Sequence, residues 1–497
     1  MNLARHRGFV AAILCSAVLT AACGLKPEVK DTLAQAGGVG AGQGGQVAAG
    51  NIDGTGGALV PADGTAGGAP TSSTGSTGTG GTGSTGTGST GTGSTGTGST
   101  GTGSTGTGST GTGTTPAGTT PQNQAPVAAA DQPLGPDSKD GIDDKAKTIK
   151  IFLHGPLTGA GVPQDSFKSG TPKYWDNNGK PRLIKGYRVI AEAFDDKYQP
   201  GPAVKACNAK AKEGFLLLGG AGTDQIQACA RSSVLARGNV PYVSAGVTEN
   251  GLGGLKNYFA TSLTYSKQAR LVVDMATKGG YIAPKNGKGW AIVISNTPNF
   301  LDAETSMSDA LKAKGQKVTI IRTPKSGADS TTVANQLREG QFESVYFLGQ
   351  PLFFIELVGK VGCPAYCPQW AGVGVSMGVN SVHGLACRGS GNQYKGEFLS
   401  PYPGLDMASK LAPGVTFKDD IEFSIYGTSE ILEQMLLAVP GTSFTRESFI
   451  AAVQGKSFQS GIFPTVNFTN GRFGGTAAYA LKSNCSTGVY QTNGLYK

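Results

Sequence analysis

The sequence predicts an α/β fold with two lobes, each built on a mostly parallel sheet. Short apolar runs alternate with helix-length amphipathic segments between residues 148 and 373, the pattern of successive βα units. Small-residue turns follow several of the apolar runs, as expected where strands lead into helices. About 350 residues follow residue 146, which is enough for two such lobes.

The first 22 residues have the features of a targeting segment. Arg5 and Arg7 precede the apolar residues 8–19, a stretch too short for an ordinary membrane span. It ends in Leu-Thr-Ala-Ala-Cys at Cys23, which resembles a bacterial lipobox. That resemblance implies cleavage of residues 1–22 and a lipid on Cys23 that anchors the protein to the cell membrane. A plain secretory signal is the alternative.

Residues 23–146 are expected to form a disordered linker. Residues 36–136 are of low complexity, and the pentad Ser-Thr-Gly-Thr-Gly repeats in register between residues 84 and 113. The repeat has no apolar or charged side chain, so it cannot offset the entropy cost of ordering. About 100 such residues reach roughly 50–60 Å, which suits a tether. A self-associating or glycosylated stalk is the alternative.

The central βαβ unit, residues 215–248, carries two candidate binding turns. A strand at 215–218 leads into Gly219, Gly220 and Gly222, a helix at 224–237 follows, and a strand at 241–244 ends in Ser-Ala-Gly-Val-Thr at 244–248. Both turns are expected at the carboxyl ends of parallel strands, where ligands bind. Their backbone N–H groups and hydroxyls, beside a helix N-terminus, favour a carboxylate. Such turns also occur in doubly wound sheets that bind nothing.

The remaining elements continue the alternation. Further strands are predicted at 148–153, 187–193, 258–262, 289–295, 317–323, 344–349 and 369–373, and further helices at 167–178, 202–213, 268–278, 300–314, 331–339 and 353–361. The C-terminal part differs, with helices at 421–438 and 446–453 and strands at 465–468, 477–482 and 488–496.

Four motifs in this order resemble those of a known family. They are GPLTGAG at 155–161, SAGVT at 244–248, ISNTPNF at 294–300 and FSIYGTSEILEQML at 423–436. From residue 147 onward the chain resembles a type I periplasmic binding protein of the leucine/isoleucine/valine-binding class. Members of this class are the substrate receptors of bacterial ABC importers.

The resemblance implies two Rossmann-like lobes joined by three crossovers, with the ligand in the cleft between them. Lobe 1 would comprise residues 147–262 and 403–470, and lobe 2 residues 263–402 and 471–497. The implied ligand residues are Thr158, Ala221, Gly222, Thr223, Ser244, Val247, Thr248, Phe300 and Gly374. A disulfide between Cys207 and Cys229 is also implied. The expected partners are a small-molecule ligand and an importer permease, for a monomer held outside the cytoplasm.

The sequence departs from the amino-acid receptors of that class. In those receptors an acid after a second-lobe strand holds the ligand ammonium, but here Gly-Val-Gly-Val-Ser occupies 372–376. Glu304 and Glu356 could substitute, yet both fall on helix patterns and are expected to be solvated. Because a buried ammonium without a counter-charge is costly, we expect a carboxylate or amide without a free ammonium, or a less polar molecule.

Charge and cysteine content limit the other functions. The net charge of +9 comes from scattered basic residues without a recognition motif, so no nucleic-acid partner is expected. Beyond Cys15 and Cys23, six cysteines remain, and an exported protein favours three disulfides among them. The pairing of Cys363, Cys367, Cys387 and Cys485 is open, and a zinc site at the first three is a minor alternative. No cofactor or metal is expected.

An enzymatic function has one superficial feature in its favour. Residues 374–378 match G-x-S-x-G, but that motif needs a following helix and a downstream acid and histidine. His383 is the sole downstream histidine, and a loop is predicted after Ser376. His154 is expected at the rim of the first turn. The chain is therefore not expected to be an enzyme. The alternatives to an import receptor are a sensing or structural cell-envelope lipoprotein and, less well supported, a serine hydrolase.

Overall fold

The computed structural model of the chain describes residues 138–160, 164–177, 179–282, 288–325, 327–373 and 380–497. The predicted signal peptide, the lipid site Cys23 and the linker up to residue 137 lie outside these residues, and so does Gly374. None of the helices in the described part of the chain is long and apolar enough to cross a membrane.

The first sheet is mostly parallel. Its order is β5-β6-β2-β7-β8-β9; β5 is antiparallel to β6, and β1 pairs antiparallel with β2. The central strands β2 and β7 carry continuous apolar runs because helices cover both faces of the sheet. The strands are β1 (Ile142–Asp143), β2 (Thr148–Gly155), β5 (Leu183–Ile184), β6 (Tyr187–Asp195), β7 (Leu216–Gly219), β8 (Tyr242–Ser244) and β9 (Tyr258–Ala260). A small separate hairpin pairs β3 (Asp176–Asn177) with β4 (Lys180–Pro181).

The second sheet has the order β11-β10-β12-β13-β14-β17-β18, parallel as far as β14 and antiparallel beyond it. Every residue of β10 is buried, as expected for an inner parallel strand. The strands are β10 (Trp290–Ser295), β11 (Val318–Thr323), β12 (Ser344–Leu348), β13 (Gln369–Val373), β14 (Gly396–Ser400), β17 (Ala478–Lys482) and β18 (Gln491–Tyr496). The hairpin of β15 (Ser457–Phe458) and β16 (Val466–Asn467) lies outside both sheets.

Helices connect and cover the strands. They are α1 (Asp165–Lys173), α2 (Pro200–Lys210), α3 (Thr223–Ala230), α4 (Ser233–Arg237), α5 (Tyr265–Gly279), α6 (Leu301–Ala313), α7 (Ser330–Gly340), α8 (Pro351–Val361), α9 (Asn380–Gly389), α10 (Ala408–Leu411), α11 (Asp420–Leu437) and α12 (Arg446–Val453). The sequence marks their starts. Asp419 caps α11 by accepting from two backbone N–H groups, and Thr445 and Ser448 form a capping box at α12.

The chain passes between the two sheets three times. It leaves the first sheet after β9, returns after β14 to place α11 against α1, and re-enters the second sheet at β17. The α11–α1 contact includes a 2.6 Å ion pair between Lys173 and Glu422. Two crossing segments touch backbone to backbone, since a Cβ at Gly475 would lie 1.9 Å from the Leu263 nitrogen. This confirms the predicted fold class, two Rossmann-like α/β lobes joined by three crossovers.

Two local predictions were wrong, and two elements were not predicted. The helix predicted at 167–178 ends at Lys173, one residue after Pro172, which lacks the N–H that would continue the helix. The helix predicted at 224–237 is two helices, because the Ser232 side chain caps a new start by accepting from the Val234 N–H at 3.3 Å. Helix α9 and strand β14 were not predicted, and the loop predicted directly after Ser376 lies outside the described residues.

Candidate ligand-binding cleft

The first predicted turn lies at the carboxyl end of β7, where α3 begins. The Gly220 N–H donates to the His154 carbonyl oxygen at 2.8 Å, which ties the turn to β2. Gly222 precedes α3 with a φ of 84°, a left-handed conformation that favours glycine. Thr223 is therefore presented as the first residue of α3, and it lines a pocket between the two sheets.

That pocket is open to solvent. Segments that follow β6 and β7 of the first sheet form one wall, and segments that follow β10, β11 and β12 of the second sheet form the other. This placement agrees with the rule that ligands bind beyond the carboxyl ends of parallel strands. The lining residues are Tyr198, Thr223, Asp224, Gln225, Ser295, Thr297, Phe300, Lys325, Gly349 and Gln350.

The second predicted turn lies outside the lining of this pocket. The Ser244 hydroxyl donates to the Ala245 carbonyl at 2.8 Å and shares a 3.0 Å hydrogen bond with the Tyr258 hydroxyl. Val247 and Thr248 are buried. The Thr248 hydroxyl donates to Asp302 of the second lobe at 3.2 Å, so this turn contributes to a contact between the lobes.

The other predicted ligand residues are dispersed. Phe300 lines the pocket and packs edge-to-face on Tyr265, with ring centroids 5.9 Å apart. Ala221 is half-buried beside Thr223 in the first turn. Thr158 is exposed and bonds Asp195 through both its N–H and its hydroxyl, at 3.0 and 2.6 Å. Of the predicted set, the structure therefore brings Thr223 and Phe300 together in the pocket, while Ala221 and Gly222 precede Thr223 in the first turn.

Asp224 is the most densely bonded group in the pocket, and its part in the cleft was not predicted. Its Oδ1 accepts from the Asn299 amide at 2.5 Å and from the Thr297 hydroxyl at 3.3 Å. Its Oδ2 forms an ion pair with the Lys325 ammonium. All three donors belong to the second lobe. The sequence offered one sign of this, since Lys325 comes shortly after a predicted strand and so near its carboxyl end.

Tyr198 reaches the pocket from a strained backbone. Lys197 and Tyr198 both have positive φ, at 55° and 54°, which is uncommon for residues other than glycine. Asp196 holds this turn by accepting from the Tyr198 N–H at 2.8 Å. The other Asp196 oxygen contacts His154 Nδ1 at 2.8 Å, and His154 Nε2 bonds the Tyr242 hydroxyl.

This network corrects the expectation for His154, which is fully buried rather than at a rim. Its two ring nitrogens are used within the protein, so it supports the turn that carries Tyr198. Burial raises the pKa of the Tyr198 phenol well above its usual range, so the ring enters the pocket as a neutral hydroxyl.

One of the two acids considered in the second lobe differs from expectation. Glu304 was expected to be solvated, but it is buried and accepts two hydrogen bonds from Arg322, at 2.9 and 2.5 Å. Its partner on β11 explains its burial, because a paired carboxylate tolerates desolvation. Glu356 is exposed. Burial raises the pKa of Asp302, and the hydrogen bond from Thr248 opposes that shift.

The six cysteines of the described chain form three disulfides. Cys207 is joined to Cys229, as the resemblance implied, and the open pairs are Cys363–Cys367 and Cys387–Cys485. His154 lies near the first disulfide and His383 near the third. Because thiolates are the zinc ligands and these sulfurs are oxidised, neither group offers a zinc site. His383 is buried against Cys387, and its Nε2 accepts from the Asn484 N–H at 3.0 Å.

Comparison with known proteins adds a family match. A family model described as periplasmic binding protein matches residues 182–488. No curated protein sequence matches the chain significantly. Solved structures with the same fold include a fatty acid ABC transporter substrate-binding protein from Thermomonospora curvata, at 17% identity and a TM-score of 0.60, covering 72% of this chain and 93% of that one.

Two further structures come from R. palustris, and both are solute-binding proteins of ABC transporters. One, in complex with 4-hydroxybenzoate, has 18% identity and a TM-score of 0.58, covering 70% of this chain and 97% of its own. The other, in complex with benzoate, has 17% identity and a TM-score of 0.56, covering 70% and 96%. At these identities the likeness concerns the fold.

Proposed function

The chain belongs to the periplasmic binding protein family, and we propose that it is an extracytoplasmic receptor that delivers a small solute to an ABC importer by closing two lobes on it. The lobes are proposed to comprise residues 147–262 with 403–470 and residues 263–402 with 471–497. The importer permease is the proposed partner, and the receptor is proposed to act as a monomer.

The observation that carries this proposal is the pocket with one wall from each lobe. Thr223 and Tyr198 approach from the first lobe and Phe300 from the second. A solute that touches both walls favours the closed arrangement, because it binds that arrangement better than the open one. We propose that Thr248 acts in this closure through its hydrogen bond to Asp302 rather than through direct contact with the solute.

The charges of the pocket favour a solute without a free ammonium. Asp224 is the carboxylate that lines the pocket, and it is already engaged by an ammonium, an amide and a hydroxyl. A ligand ammonium would have to displace Lys325 to reach it. Rings of Tyr198 and Phe300 instead offer apolar contact. A monocarboxylate with an apolar or aromatic body fits best, and the neighbouring structures named for fatty acid, 4-hydroxybenzoate and benzoate are consistent with it.

A thermal-shift screen of the mature protein tests the proposal. Benzoate, 4-hydroxybenzoate and octanoate are compared with benzamide and leucine. A solute that binds only the native state adds about 3 kcal/mol to the free energy of unfolding at a concentration 100-fold above its Kd, and this raises the melting temperature. We expect at least one of the three carboxylates to raise it and leucine to leave it unchanged. A leucine shift with no carboxylate shift would refute the ligand class, and no shift from any small solute would favour a structural lipoprotein.

Replacing Phe300 with alanine is expected to weaken binding of the carboxylate that gives the largest shift by about ten- to a hundredfold, because a ring that buries apolar surface contributes roughly 1.5–3 kcal/mol. Isothermal titration calorimetry measures the change. The control is Leu301→Ala, since Leu301 is the next residue but is 58% exposed. Equal affinities of the Phe300 variant and the wild type would place the solute elsewhere.

We also propose that a lipid on Cys23 anchors the receptor to the outer face of the cell membrane. Replacing Cys23 with alanine should move the protein from the membrane fraction to the soluble extracytoplasmic fraction, because the lipidated sulfur is then absent. Cell fractionation and immunoblotting provide the readout. Cys15→Ala, within the apolar part of the signal, serves as the control and should remain membrane-bound. Membrane retention of the Cys23 variant would disprove the anchor.

A further inference from the structure

Three donors of the second lobe converge on a single carboxylate. Asn299 supplies an amide N–H at 2.5 Å, Thr297 a hydroxyl at 3.3 Å, and Lys325 an ammonium that pairs with the second oxygen. The carboxylate belongs to Asp224 of the first lobe, whose side chain is only 15% exposed. A largely shielded carboxylate with a charged partner is held more strongly than a surface pair.

The donor set is assembled by the second lobe alone. Thr297 and Asn299 lie in the turn after β10, where the Asn299 N–H donates to the Thr297 hydroxyl at 3.4 Å. Lys325 follows β11, which pairs in parallel with β10, so the two segments meet at the same sheet edge. An ammonium, an amide and a hydroxyl at one place are donors that suit a carboxylate. The second lobe therefore carries a carboxylate-binding site whatever group fills it.

We propose that Asp224 is an internal carboxylate that fills this site and latches the ligand-free lobes together, and that the carboxylate of an incoming solute takes its place on Lys325, Asn299 and Thr297. This inference rests on the proposed function, since it assigns the solute's acidic group to one part of the same pocket. The latched lobes open to admit the solute and then close on it, with its carboxylate in the place of Asp224. It makes Asp224 a competitor of the solute and Lys325 a determinant of specificity.

The released Asp224 has a favourable alternative environment. It is the second residue of α3, where the unpaired N–H groups of the first helical turn favour a negative charge. Exchange of one carboxylate for another also leaves the charge on the second lobe balanced. The solute therefore replaces the latch without leaving Lys325 unpaired within the cleft.

The test measures the distance between the lobes with a pair of spin labels. The labels are attached at exposed Lys205 on α2 and exposed Lys312 on α6, after each lysine is replaced by cysteine. The protein used is the mature form with Cys23→Ala. The six cysteines of the described chain are in disulfides, so labelling is confined to the introduced sites. Three proteins are compared without ligand: wild type, Asp224→Asn and Lys267→Gln. Lys267 forms another pair between the lobes, with Glu249 at 3.0 Å, but both side chains are nearly half exposed.

We expect a short inter-label distance in the wild type and in Lys267→Gln, and a longer, broader distribution in Asp224→Asn. Sodium benzoate and sodium octanoate are then titrated as probes. At least one should restore the short distance in Asp224→Asn at a concentration about tenfold lower than it needs to stabilise the wild type. The same probe should fail in Asp224→Asn combined with Lys325→Gln, because the ammonium is absent.

Two results would overturn the inference. An unchanged distance in Asp224→Asn would show that Asp224 is not a latch. An open Asp224→Asn variant that closes on benzamide but on neither carboxylate would show that the three donors do not receive the solute's acid, while the receptor function would stand. If no solute closed the Asp224→Asn variant, the result would instead count against the receptor function. The longer inter-label distance in that variant would still show that Asp224 holds the lobes together.

Discussion

Replacing Arg446 with methionine is expected to lower the free energy of unfolding by about 3–5 kcal/mol. The side chain is 3% exposed and its Nη2 donates to the carbonyl oxygens of Ala211 and Gly214, at 2.5 and 2.6 Å. Its Nε and Nη1 reach the carbonyls of Phe215 and Gly238, at 3.2 and 3.4 Å. Methionine keeps much of the apolar stem but leaves these oxygens without this donor.

The position of Arg446 adds to the effect. Ala211 and Gly238 are the C-cap residues directly after α2 and α4, so a cation there also offsets the negative ends of two helices. Urea denaturation followed by circular dichroism measures the loss. Arg338→Met is the matched control, because Arg338 also donates to a backbone carbonyl, that of Lys360 at 2.8 Å, but in an exposed setting. A loss no larger than that of the control would refute the role given to Arg446.

Much of the fold could be predicted from local sequence. The strands predicted at 289–295 and 344–349 agree with Trp290–Ser295 and Ser344–Leu348 to within one residue, because buried parallel strands leave continuous apolar runs. Helix α9 could not be predicted in this way. It contains Gly384 and Gly389, which disfavour a helix, and tertiary contacts compensate. A Cβ on Gly389 would lie 3.3 Å from the Gly359 Cα, so glycine allows α9 to approach α8.

The candidate site, like the fold, was predictable only in part. The glycine-rich turn before Thr223 was predictable, because a strand, glycines and a helix start are adjacent in the chain. The donors on Asp224 were not, because Thr297, Asn299 and Lys325 lie 73, 75 and 101 residues further along. Their convergence depends on how one lobe meets the other. No local pattern carries that information, and the same holds for the Thr248–Asp302 contact.

Replacing Asp420 with asparagine is expected to stabilise the protein more at pH 8 than at pH 5, by a difference of about 2–3 kcal/mol. Asp420 is 1% exposed, at the start of α11. Its Oδ2 accepts from the Asn380 N–H at 2.7 Å, and its Oδ1 has no hydrogen-bond partner among the described residues. Burial raises the pKa of Asp420 to about 7, the Asn380 N–H opposes the shift, and the Asp419 and Asp406 charges add to it.

The sign follows from proton binding. The native state holds a proton on Asp420 up to about pH 7, whereas the unfolded chain loses it near pH 4. The unfolded state therefore binds fewer protons between these values, and wild-type stability falls as the pH rises through that window. Asparagine resembles the protonated acid, since it keeps an oxygen for the Asn380 N–H and carries no charge. The advantage of Asp420→Asn should accordingly grow as the pH rises from 5 to 8.

Urea denaturation of both proteins at several pH values measures this difference, and other titrating groups largely cancel in it. Asp329→Asn is the control. Asp329 caps α7 and accepts from the Thr332 hydroxyl at 2.6 Å and the Thr331 N–H at 2.9 Å, and the hydrogen bond from Thr332 is the largest cause that lowers its pKa. Its contribution to stability is lost only as the pH falls below about 4. The difference in free energy of unfolding between Asp329→Asn and the wild type should therefore stay constant from pH 5 to 8. If the difference in free energy of unfolding between Asp420→Asn and the wild type also stayed constant over this pH range, Asp420 would ionise normally within the fold.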